Sequence, residues 1–377
     1  MASQEFAEDQ MNALWKLYKK NQKAGMMWMR AFNIDVLFVG DFETLKHLFN
    51  HPDFQDRFDS ASNLIKCSTE DRQQDTKIFG NGIHGVLLSK GKTWSDQRRF
   101  TLRTLRDFGF GKTGMEEMIK EELILFSDLL HQAQDQPFDF LNKFNLPVLN
   151  ALWKVTVGQR FSYDDPKLIS VIERLTQLFK RAGEPKYTMP LVFPWVTKMF
   201  PKFMERDQSI KVNHDIMNMM RESVDEHEET LDPNEPRDFT DKVLMEISKT
   251  TDPSSSYYGV HGKENLVNTL FDMFLAGSET TSTTLTWAML YMARYPRVQK
   301  KVAEEMEAVI GRNSLPSLSH RGKLIYAEAV LTEIQRYANI IPNGVQHVCN
   351  YDFTINGFTI PANTMVQPVM CEILKVG

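Results

Sequence analysis

The longest regular pattern of apolar positions runs from Lys263 to Tyr295 and stops at Pro296. Apolar residues cover most of its surface, which predicts a buried helix that ends before the proline. At 1.5 Å per residue this helix would be roughly 50 Å long, enough to cross a whole domain. Its centre nevertheless holds Gly277, Glu279 and an unbroken run of hydroxyl residues from Thr280 to Thr284. Glycine costs about 1 kcal/mol in a helix interior and hydroxyl residues can bend a helix, so the pattern indicates a functional site there.

Helical patterns also dominate the rest of the chain. Polar connections separate them, of which the clearest are residues 226–237, acidic with two prolines, and residues 250–262, rich in serine and glycine. The other predicted helices are 6–23, 42–50, 94–107, 115–132, 168–181, 209–225, 238–249, 297–310 and 326–337.

Alternating patterns near the two ends of the chain predict a small sheet. Residues 26–29 and 36–39 form one candidate hairpin. Further along, the alternating runs are 345–348, 353–355 and 358–360, with Asn356-Gly357 as a hairpin-turn signal between the last two. The chain is therefore predicted to be mainly α, a single domain over residues 1–377 with a small β-sheet built from both ends.

The composition argues against several classes of function. The 377 residues are 42% hydrophobic and 25% charged, which is typical of globular domains, and a net charge of -5 gives no electrostatic case for nucleic-acid binding. The three cysteines, Cys67, Cys349 and Cys371, are too scattered for a disulfide framework or a zinc site. The polar N-terminus predicts neither a signal peptide nor a membrane anchor, and the lack of Asn-x-Ser/Thr sequons favours a cytosol-facing protein.

Two residue pairs at helical spacing are candidates for a site. Glu333 and Arg336 lie three apart, which alone would favour a solvated ion pair on one helix face. Trp94 and Arg98 lie four apart, so the tryptophan could cover a buried arginine that holds an anionic group. The alternative for this second pair is an amphipathic helix with a basic outer face.

A glycine-rich motif from Gly109 to Gly114 satisfies G-x-G-x-x-G. A nucleotide-binding loop of this kind follows a strand, whereas a helical pattern precedes Gly109. The motif is therefore predicted to be a loop between two helices.

Several segments, taken together and in this order, resemble the cytochrome P-450 haem-thiolate monooxygenases, in particular the microsomal animal enzymes. The resemblance implies the cytochrome P-450 fold, bound haem b and the insertion of one oxygen atom of O2 into a terpenoid, steroid, fatty acid or xenobiotic. The segments are HPDFQDR from His51, GKTWSDQRRF from Gly91, ETLDPNEPRDF from Glu229, FLAGSETTSTTL from Phe274, the residues Glu333 and Arg336, and NGFTIPANT from Asn356.

The resemblance assigns roles to the central helix. Ala276 and Gly277 would border the haem, and Gly277 would leave room for dioxygen. Thr280 would hydrogen-bond the oxygen species at the iron or a water, while Glu279 would help to relay protons inward. Such a relay is needed because O–O cleavage consumes protons in a site that otherwise excludes water.

The same resemblance assigns roles outside that helix. Trp94, Arg98 and His347 would contact haem propionates, and Glu333 and Arg336 would form a buried salt bridge that fastens their helix to the segment leading to the haem cysteine. Electrons from NADPH would arrive through a flavoprotein reductase on the cytosolic face of the endoplasmic reticulum membrane. Electrostatic steering of that acidic partner would explain a set of basic residues, which are Arg99, Arg103, Arg106 and Lys112.

One expected feature is missing. The family holds its iron through a cysteine thiolate in a glycine-rich loop, and neither Cys349 nor Cys371 lies in such a pattern. Both are expected to be small buried residues. Three hypotheses stay open: a fragment of a working monooxygenase, a truncated non-catalytic product, or a haem-free helical protein that binds a hydrophobic ligand.

The substrate pocket and the membrane contact are also expected in particular segments. An apolar pocket is expected to be lined by residues 67–86, 175–179, 271–280 and 340–345. Residues 187–203 are apolar and end in basic residues, so they could pack in the core or dip into a membrane surface through which lipophilic substrates enter. Trp195 and Phe200 beside Lys198 and Lys202 favour the membrane.

Overall fold

Helices make up most of the protein in the computed structural model, which describes residues 13–31, 34–57, 84–133, 136–181, 199 and 206–374. Short 3-10 turns cover Pro52–Phe54 and Leu318–His320. The helices are α1 (described over 13–21), α2 (Phe42–Asn50), α3 (Gly91–Asp107), α4 (Thr113–Ala133), α5 (Asn145–Val157), α6 (Pro166–Arg181), α7 (Arg206–Thr230), α8 (Phe239–Lys249), α9 (Gly259–Arg294), α10 (Pro296–Ile310), α11 (Ile325–Ala338) and α12 (Met370–Ile373).

The strands form one four-stranded sheet and one separate hairpin. In the sheet the order is β1-β2-β6-β3, and β2 runs parallel to β6, so the two ends of the chain meet there. The hairpin pairs β4 with β5 across Asn356 and Gly357, which both have positive φ. The strands are β1 (Met26–Ala31), β2 (Ile34–Val39), β3 (His347–Val348), β4 (Phe353–Ile355), β5 (Phe358–Ile360) and β6 (Met365–Pro368).

The predicted class and most predicted elements are confirmed. Helix α9 begins at Gly259, inside the connection predicted at 250–262, and the short helix α12 was not predicted. Helix α5 was missed because Pro147 and its β-branched residues weaken the helical signal, and because burial on nearly all sides removes its polar face. Strand β6 was missed as well. Helix α7 continues to Thr230, five residues into the connection predicted at 226–237, because the prolines come later. The glycine-rich segment at Gly109 is a loop between α3 and α4, as predicted.

The largest core lies where α5 to α8 pack on the first half of α9. Trp153 of α5 meets Phe274 of α9 edge to face, with ring centroids 5.9 Å apart. Two smaller cores lie on either side of the four-stranded sheet. Members of the large core include Leu149, Trp153, Leu175, Met217, Phe239, Leu270 and Phe274.

The two cysteines that the structure describes lie in the protein interior. Cys349 and Cys371 are buried, as expected for small apolar side chains. Cys67 lies outside the described residues. No helix in the described ranges combines the length and apolarity needed to cross a membrane.

We expect Phe274→Ala to destabilise the fold by about 3–5 kcal/mol, because the ring is fully buried and its removal leaves a cavity against Trp153. The matched control is Val260→Ala on the same helix, where the side chain is 81% exposed and the change should stay within about 0.5 kcal/mol. Urea unfolding measures both. Equal effects of the two variants would contradict the packing described for α9.

Candidate functional site

The hydroxyl residues at the centre of α9 bond back to carbonyl oxygens one turn earlier. Thr280 Oγ1 donates to the Ala276 carbonyl at 2.8 Å, and Thr284 Oγ1 donates to the Thr280 carbonyl at 2.9 Å. Ser282 makes the same kind of bond to Ser278. The helix stays unbroken from Gly259 to Arg294, so these hydroxyl groups find their acceptors within the helix itself. Ala276 is exposed and Thr280 partly exposed, one turn apart on a face that the described residues leave uncovered.

Glu279 points toward α5 and α6. Its Oε1 accepts from Asn145 Nδ2 at 3.1 Å and from Thr176 Oγ1 at 2.5 Å. Both donors are neutral, so the carboxylate is held by hydrogen bonds without a counter-ion. The structure therefore brings Glu279 together with α5 and α6, while Thr280 is bonded within its own helix.

Gly277 lies at the crossing of α9 and α5. A Cβ at this position would lie 2.5 Å from Leu152 Cδ2, well inside van der Waals contact. The absence of a side chain thus lets the two helices approach closely, a packing reason that sequence reasoning did not supply. The predicted role of Gly277 beside a bound oxygen stays a prediction.

A second group of candidate residues forms a cluster of hydrogen-bond donors. The Arg98 guanidinium lies over the Trp94 ring at 5.5 Å from its centroid, which confirms that the two share a face of α3. Arg98 is exposed, which matches the alternative of a basic outer face on α3 rather than a buried arginine. The indole Nε1 of Trp94 and the Nε and Nη1 of Arg57 are buried, and the described residues offer them no hydrogen-bond partner. Burial and then the nearby charge of Arg98 lower the pKa of the Arg57 guanidinium.

His347 lies at the edge of the same cluster. Its Nδ1 contacts the Phe54 carbonyl, which can only accept, so the proton is on Nδ1. Burial and the charge of Arg57 outweigh that bond and lower the pKa of His347 to about 4, so its Nε2 is unprotonated at neutral pH. An anion placed beside Arg57 would weaken that repulsion and favour the doubly protonated ring.

Asp56 positions the donor cluster. Its Oδ1 accepts from the Gly91 amide at 2.9 Å, where α3 begins, and its Oδ2 accepts from Asn350 Nδ2 at 3.0 Å. The backbone carbonyl of Asp56 also accepts from the Val348 amide at 3.0 Å. One residue thus joins the start of α3 to the strand that carries His347 and presents Arg57 between them. Sequence reasoning missed both Asp56 and Arg57, although both lie in the quoted segment HPDFQDR.

Glu333 and Arg336 form a two-pronged ion pair on α11. The Nε and Nη2 of Arg336 donate to the two carboxylate oxygens at 2.7 and 2.6 Å, and Nη1 donates to the Leu374 carbonyl at 2.6 Å. The predicted burial is wrong, because the side chains are 59% and 36% exposed. The ion pair was predicted to fasten α11 to a following segment. In the structure Arg336 joins α11 to the backbone just after α12.

The expected pocket walls are only partly in place. Leu175, Phe271 and Phe274 are buried in the large core rather than lining a pocket, because they face α5 to α8. Residues 67–83 and the side chains of 177–179 lie outside the described residues, as do residues 187–198 and 200–203 of the suggested membrane segment. A groove of about 430 Å³ lies elsewhere, between the end of α9 and helices α10 and α11. Its lining combines aliphatic residues with four tyrosines, Tyr291, Tyr295, Tyr326 and Tyr337.

Two further polar residues of α9 hold the segment that leads into α3. The buried carboxylate of Asp272 accepts from the Val86 and Leu87 amides at 2.8 and 2.9 Å. Asn265 accepts from the Gly85 amide at 3.2 Å. Burial raises the pKa of Asp272 to about 7, although the two amides oppose it. The signal that could have found Asp272 is the one that marked Glu279, an acid inside an apolar helical pattern.

A sequence profile of the cytochrome P-450 family matches residues 3–375, nearly the whole chain. The chain belongs to the cytochrome P-450 family.

Similar cytochromes P-450 come from vertebrates and a crustacean. Cytochrome P-450 2J2 of Homo sapiens is 39% identical over 290 residues, 75% of this chain and 55% of that protein. Cytochrome P-450 2L1 of Panulirus argus is 33% identical over 313 residues, 82% of this chain and 63% of that protein. Cytochrome P-450 2B4 of Oryctolagus cuniculus is 37% identical over 292 residues, 77% of this chain and 58% of that protein. The chain thus spans less than two thirds of the length of these relatives.

The donor cluster fits the cofactor of the cytochrome P-450 family. Haem carries propionate carboxylates, and buried donors without an acceptor are expensive to keep. Trp94 and Arg57 supply such donors, and Arg98 adds a second positive charge beside them. A carboxylate between these side chains would satisfy the unpaired donors and separate two like charges, so this set of residues suits a haem propionate.

We expect Asp272→Ala to destabilise the fold by about 1–3 kcal/mol, because it leaves the buried amides of Val86 and Leu87 unpaired. Asp272→Asn keeps an acceptor and should cost less. Because burial raises the pKa of Asp272 above its ordinary 3.8 to about 7, its contribution is complete at low pH and is lost as pH rises through about 7. Urea unfolding at pH 5 and pH 7.5 should show a smaller pH dependence for the Asn variant.

The control for this pH effect is Asp128→Asn, which removes one exposed carboxylate from α4. Its pH dependence should match that of the wild type. A pH dependence of Asp272→Asn that also matches the wild type would show that the buried carboxyl does not titrate in this range.

Proposed function

We propose that the protein is a haem-dependent monooxygenase that inserts one oxygen atom of O2 into a lipophilic small molecule. Membership of the cytochrome P-450 family supports the reaction class. The observation that carries the proposal is the cluster of buried, unpartnered donors on Trp94 and Arg57 beside Arg98, which needs an anionic group. Haem b, when bound, supplies the redox-active iron at which O2 is activated.

The chain's own residues would hold the cofactor from two directions. Trp94, Arg57 and Arg98 would bind a propionate, and His347 would join them once the carboxylate favours its protonated ring. The uncovered face of α9 with Ala276 and Thr280 would lie against the other side of the site. These two residues are small or polar, so they leave room for a ligand beside the helix.

Proton delivery would use Thr280 and Glu279 in turn. The Thr280 hydroxyl donates to the Ala276 carbonyl, and its oxygen can accept a proton from water while its own proton moves on. Glu279 is bonded to Asn145 and Thr176, so it would have to turn from α5 and α6 toward Thr280 to take part. We infer that this turn limits the relay, because it breaks two hydrogen bonds before a proton can move.

The proposed partners are inferred from the basic residues of α3 and from the apolar segment 187–203. Arg99, Arg103 and Arg106 are exposed along α3, and Lys112 is exposed in the loop after it, which suits an acidic flavoprotein reductase that passes electrons from NADPH. The lipophilic substrate would be a terpenoid, steroid, fatty acid or xenobiotic. Residues 187–203 would touch the cytosolic face of the endoplasmic reticulum membrane, from which such substrates partition.

We expect Arg57→Ala and Arg98→Ala each to weaken haem retention about 10- to 100-fold, because each removes a charge-assisted hydrogen bond worth about 1.5–3 kcal/mol. The measurement is haem loss to an excess of a scavenging apoprotein, followed by the Soret absorbance. Arg99→Ala is the matched control, since it removes a neighbouring exposed charge from α3. Equal haem loss in all three variants would remove the cluster from the cofactor site.

We expect Thr280→Ala in the full-length enzyme to keep haem but to divert most electrons from NADPH to peroxide, because the hydroxyl that passes protons is gone. The ratio of product formed to NADPH consumed measures this coupling. Thr284→Ala is the control one turn further along α9, where the hydroxyl bonds the Thr280 carbonyl. Unchanged coupling in Thr280→Ala would exclude Thr280 from the relay, and a chain that never acquires a haem spectrum would contradict the proposed function itself.

A further inference from the structure

A buried histidine and a buried aspartate meet where α7, α8 and the end of α5 come together. His227, in the last turn of α7, is 4% exposed. Its Nδ1 lies 2.6 Å from the Ser223 carbonyl oxygen, and its Nε2 lies 2.8 Å from Asp238 Oδ2. Asp238 is the N-cap of α8, where its other oxygen accepts from the Asp241 amide at 3.0 Å.

These contacts require an extra proton. A carbonyl oxygen only accepts hydrogen bonds, so Nδ1 of His227 must carry a hydrogen. A carboxylate also only accepts, so the second contact needs a proton either on Nε2 or on Asp238. In both cases the pair holds one proton more than a neutral imidazole and a carboxylate would hold together.

The surrounding charges explain why the pair keeps this proton. The second buried carboxylate, Asp241, is already matched by Arg237, whose backbone amide, Nε and Nη2 donate to it at 2.9, 2.7 and 2.8 Å. The end of α5 places the Thr156 carbonyl and Gly158 beside α8, while the Lys154 side chain in its last turn is exposed. Asp238, 1% exposed, is therefore left with His227 as its counter-charge.

The remaining charged groups near this turn of α7 face solvent. Lys263, from α9, pairs with Asp225 and Glu228 at 2.9 and 2.6 Å on the outer side of α7. Gln159 contacts Glu226 at 3.4 Å on the same exposed side. These pairs are screened by water, so they bias the buried histidine less than Asp238 and Asp241 do.

A metal ion does not explain the arrangement as well as a proton does. The group His227, Asp238 and Asp241 has the ligand atoms of a metal site. Two ligands of one tetrahedral zinc ion would lie about 3.3 Å apart for zinc bonds of about 2.0 Å, whereas Nε2 and Oδ2 are at hydrogen-bond distance. The oxygens of Asp241 are also engaged by Arg237.

The pair fastens three helices at once. Gly158, which ends α5 with φ +66°, has no side chain where a Cβ would lie 2.9 Å from Asp238 Oδ2. Beside it, Thr240 Oγ1 of α8 donates to the Thr156 carbonyl of α5 at 2.8 Å. Because His227 adds the end of α7, the contact closes the whole turn between α7 and α8.

We propose that His227 and Asp238 form a proton-operated latch that fastens the end of α7 to α5 and α8 at acidic and neutral pH and releases it as pH rises. The latch is independent of the cofactor site and of the proposed oxygenase activity. Loss of the proton places an unprotonated Nε2 against Oδ2 of Asp238 in a buried site, where the described residues offer neither of these two atoms another donor.

The direction of the pH dependence follows from the histidine. Burial lowers the pKa of His227, but the hydrogen bond and charge of Asp238 and the Ser223 carbonyl outweigh burial and raise it above the ordinary 6.5. The folded state thus binds the proton more tightly than the unfolded chain does. The contribution to stability is complete below pH 6.5 and is lost as pH rises through the raised pKa.

The direct test is a pH titration of the histidine side chains in the chain labelled with 15N-histidine, followed by NMR. His227 should stay doubly protonated above the ordinary histidine pKa of 6.5. His131 is a matched reference, because its Nδ1 also contacts the carbonyl oxygen one turn earlier, at 2.8 Å to Ser127, but the ring is exposed. A His227 that titrates at or below pH 6.5 would overturn the latch.

The functional test is hydrogen exchange of the amides at 223–230, corrected for the intrinsic pH dependence of exchange. In the wild type, protection should fall by up to about tenfold per pH unit between pH 6.5 and the raised pKa of His227, and should level off above that pKa. This fall should vanish in His227→Gln, and in Asp238→Asn, which keeps a good N-cap for α8. His131→Gln should behave like the wild type, and a fall that persists in both latch variants would refute the proposal.

Discussion

The close crossing of α5 and α9 is the contact on which the rest of the structure depends. Gly277 lets Leu152 approach the α9 backbone, and Trp153 meets Phe274 further along the same crossing. Burying both helices on several sides requires every polar group between them to find a partner, because an unpaired one would cost about 1–3 kcal/mol. Asn145 meets that requirement for Glu279 at one end.

Polar side chains of α9 consequently hold the neighbouring elements in place through hydrogen bonds. Asp272 and Asn265 hold residues 85–87, which lead directly into α3 with Trp94 and Arg98. Glu279 holds α5 and α6. Helix α9, with 36 residues, can therefore fix the position of the donor cluster relative to its own hydroxyl face. Both are held by the same continuous helix.

The sequence predicted the elements whose pattern is local and missed those set by packing. The boundaries of α2, β4 and β5 follow from periodicity and the Asn356-Gly357 turn, whereas α5 is so evenly buried that it has no period. For the site, the sequence indicated Trp94 and Arg98 through their spacing. It could not indicate Arg57, because a lone arginine becomes a donor without a partner only after Asp56 has joined three distant segments.

Titratable groups whose pKa differs between the folded and unfolded states also make the stability of this fold depend on pH. Asp272 and His227 both lose their contributions as pH rises, since the pKa of each is raised in the folded state. Glu116 acts in the opposite sense, because hydrogen bonds from Lys120 and the Leu318 amide lower its pKa to about 2, so its contribution is lost as pH falls from about 4.5. These groups therefore oppose one another, Glu116 stabilising the folded state less as pH falls and Asp272 and His227 less as pH rises. The contacts that weaken with rising pH hold the segment before α3 and the end of α7, and both of these pack on the first half of α9.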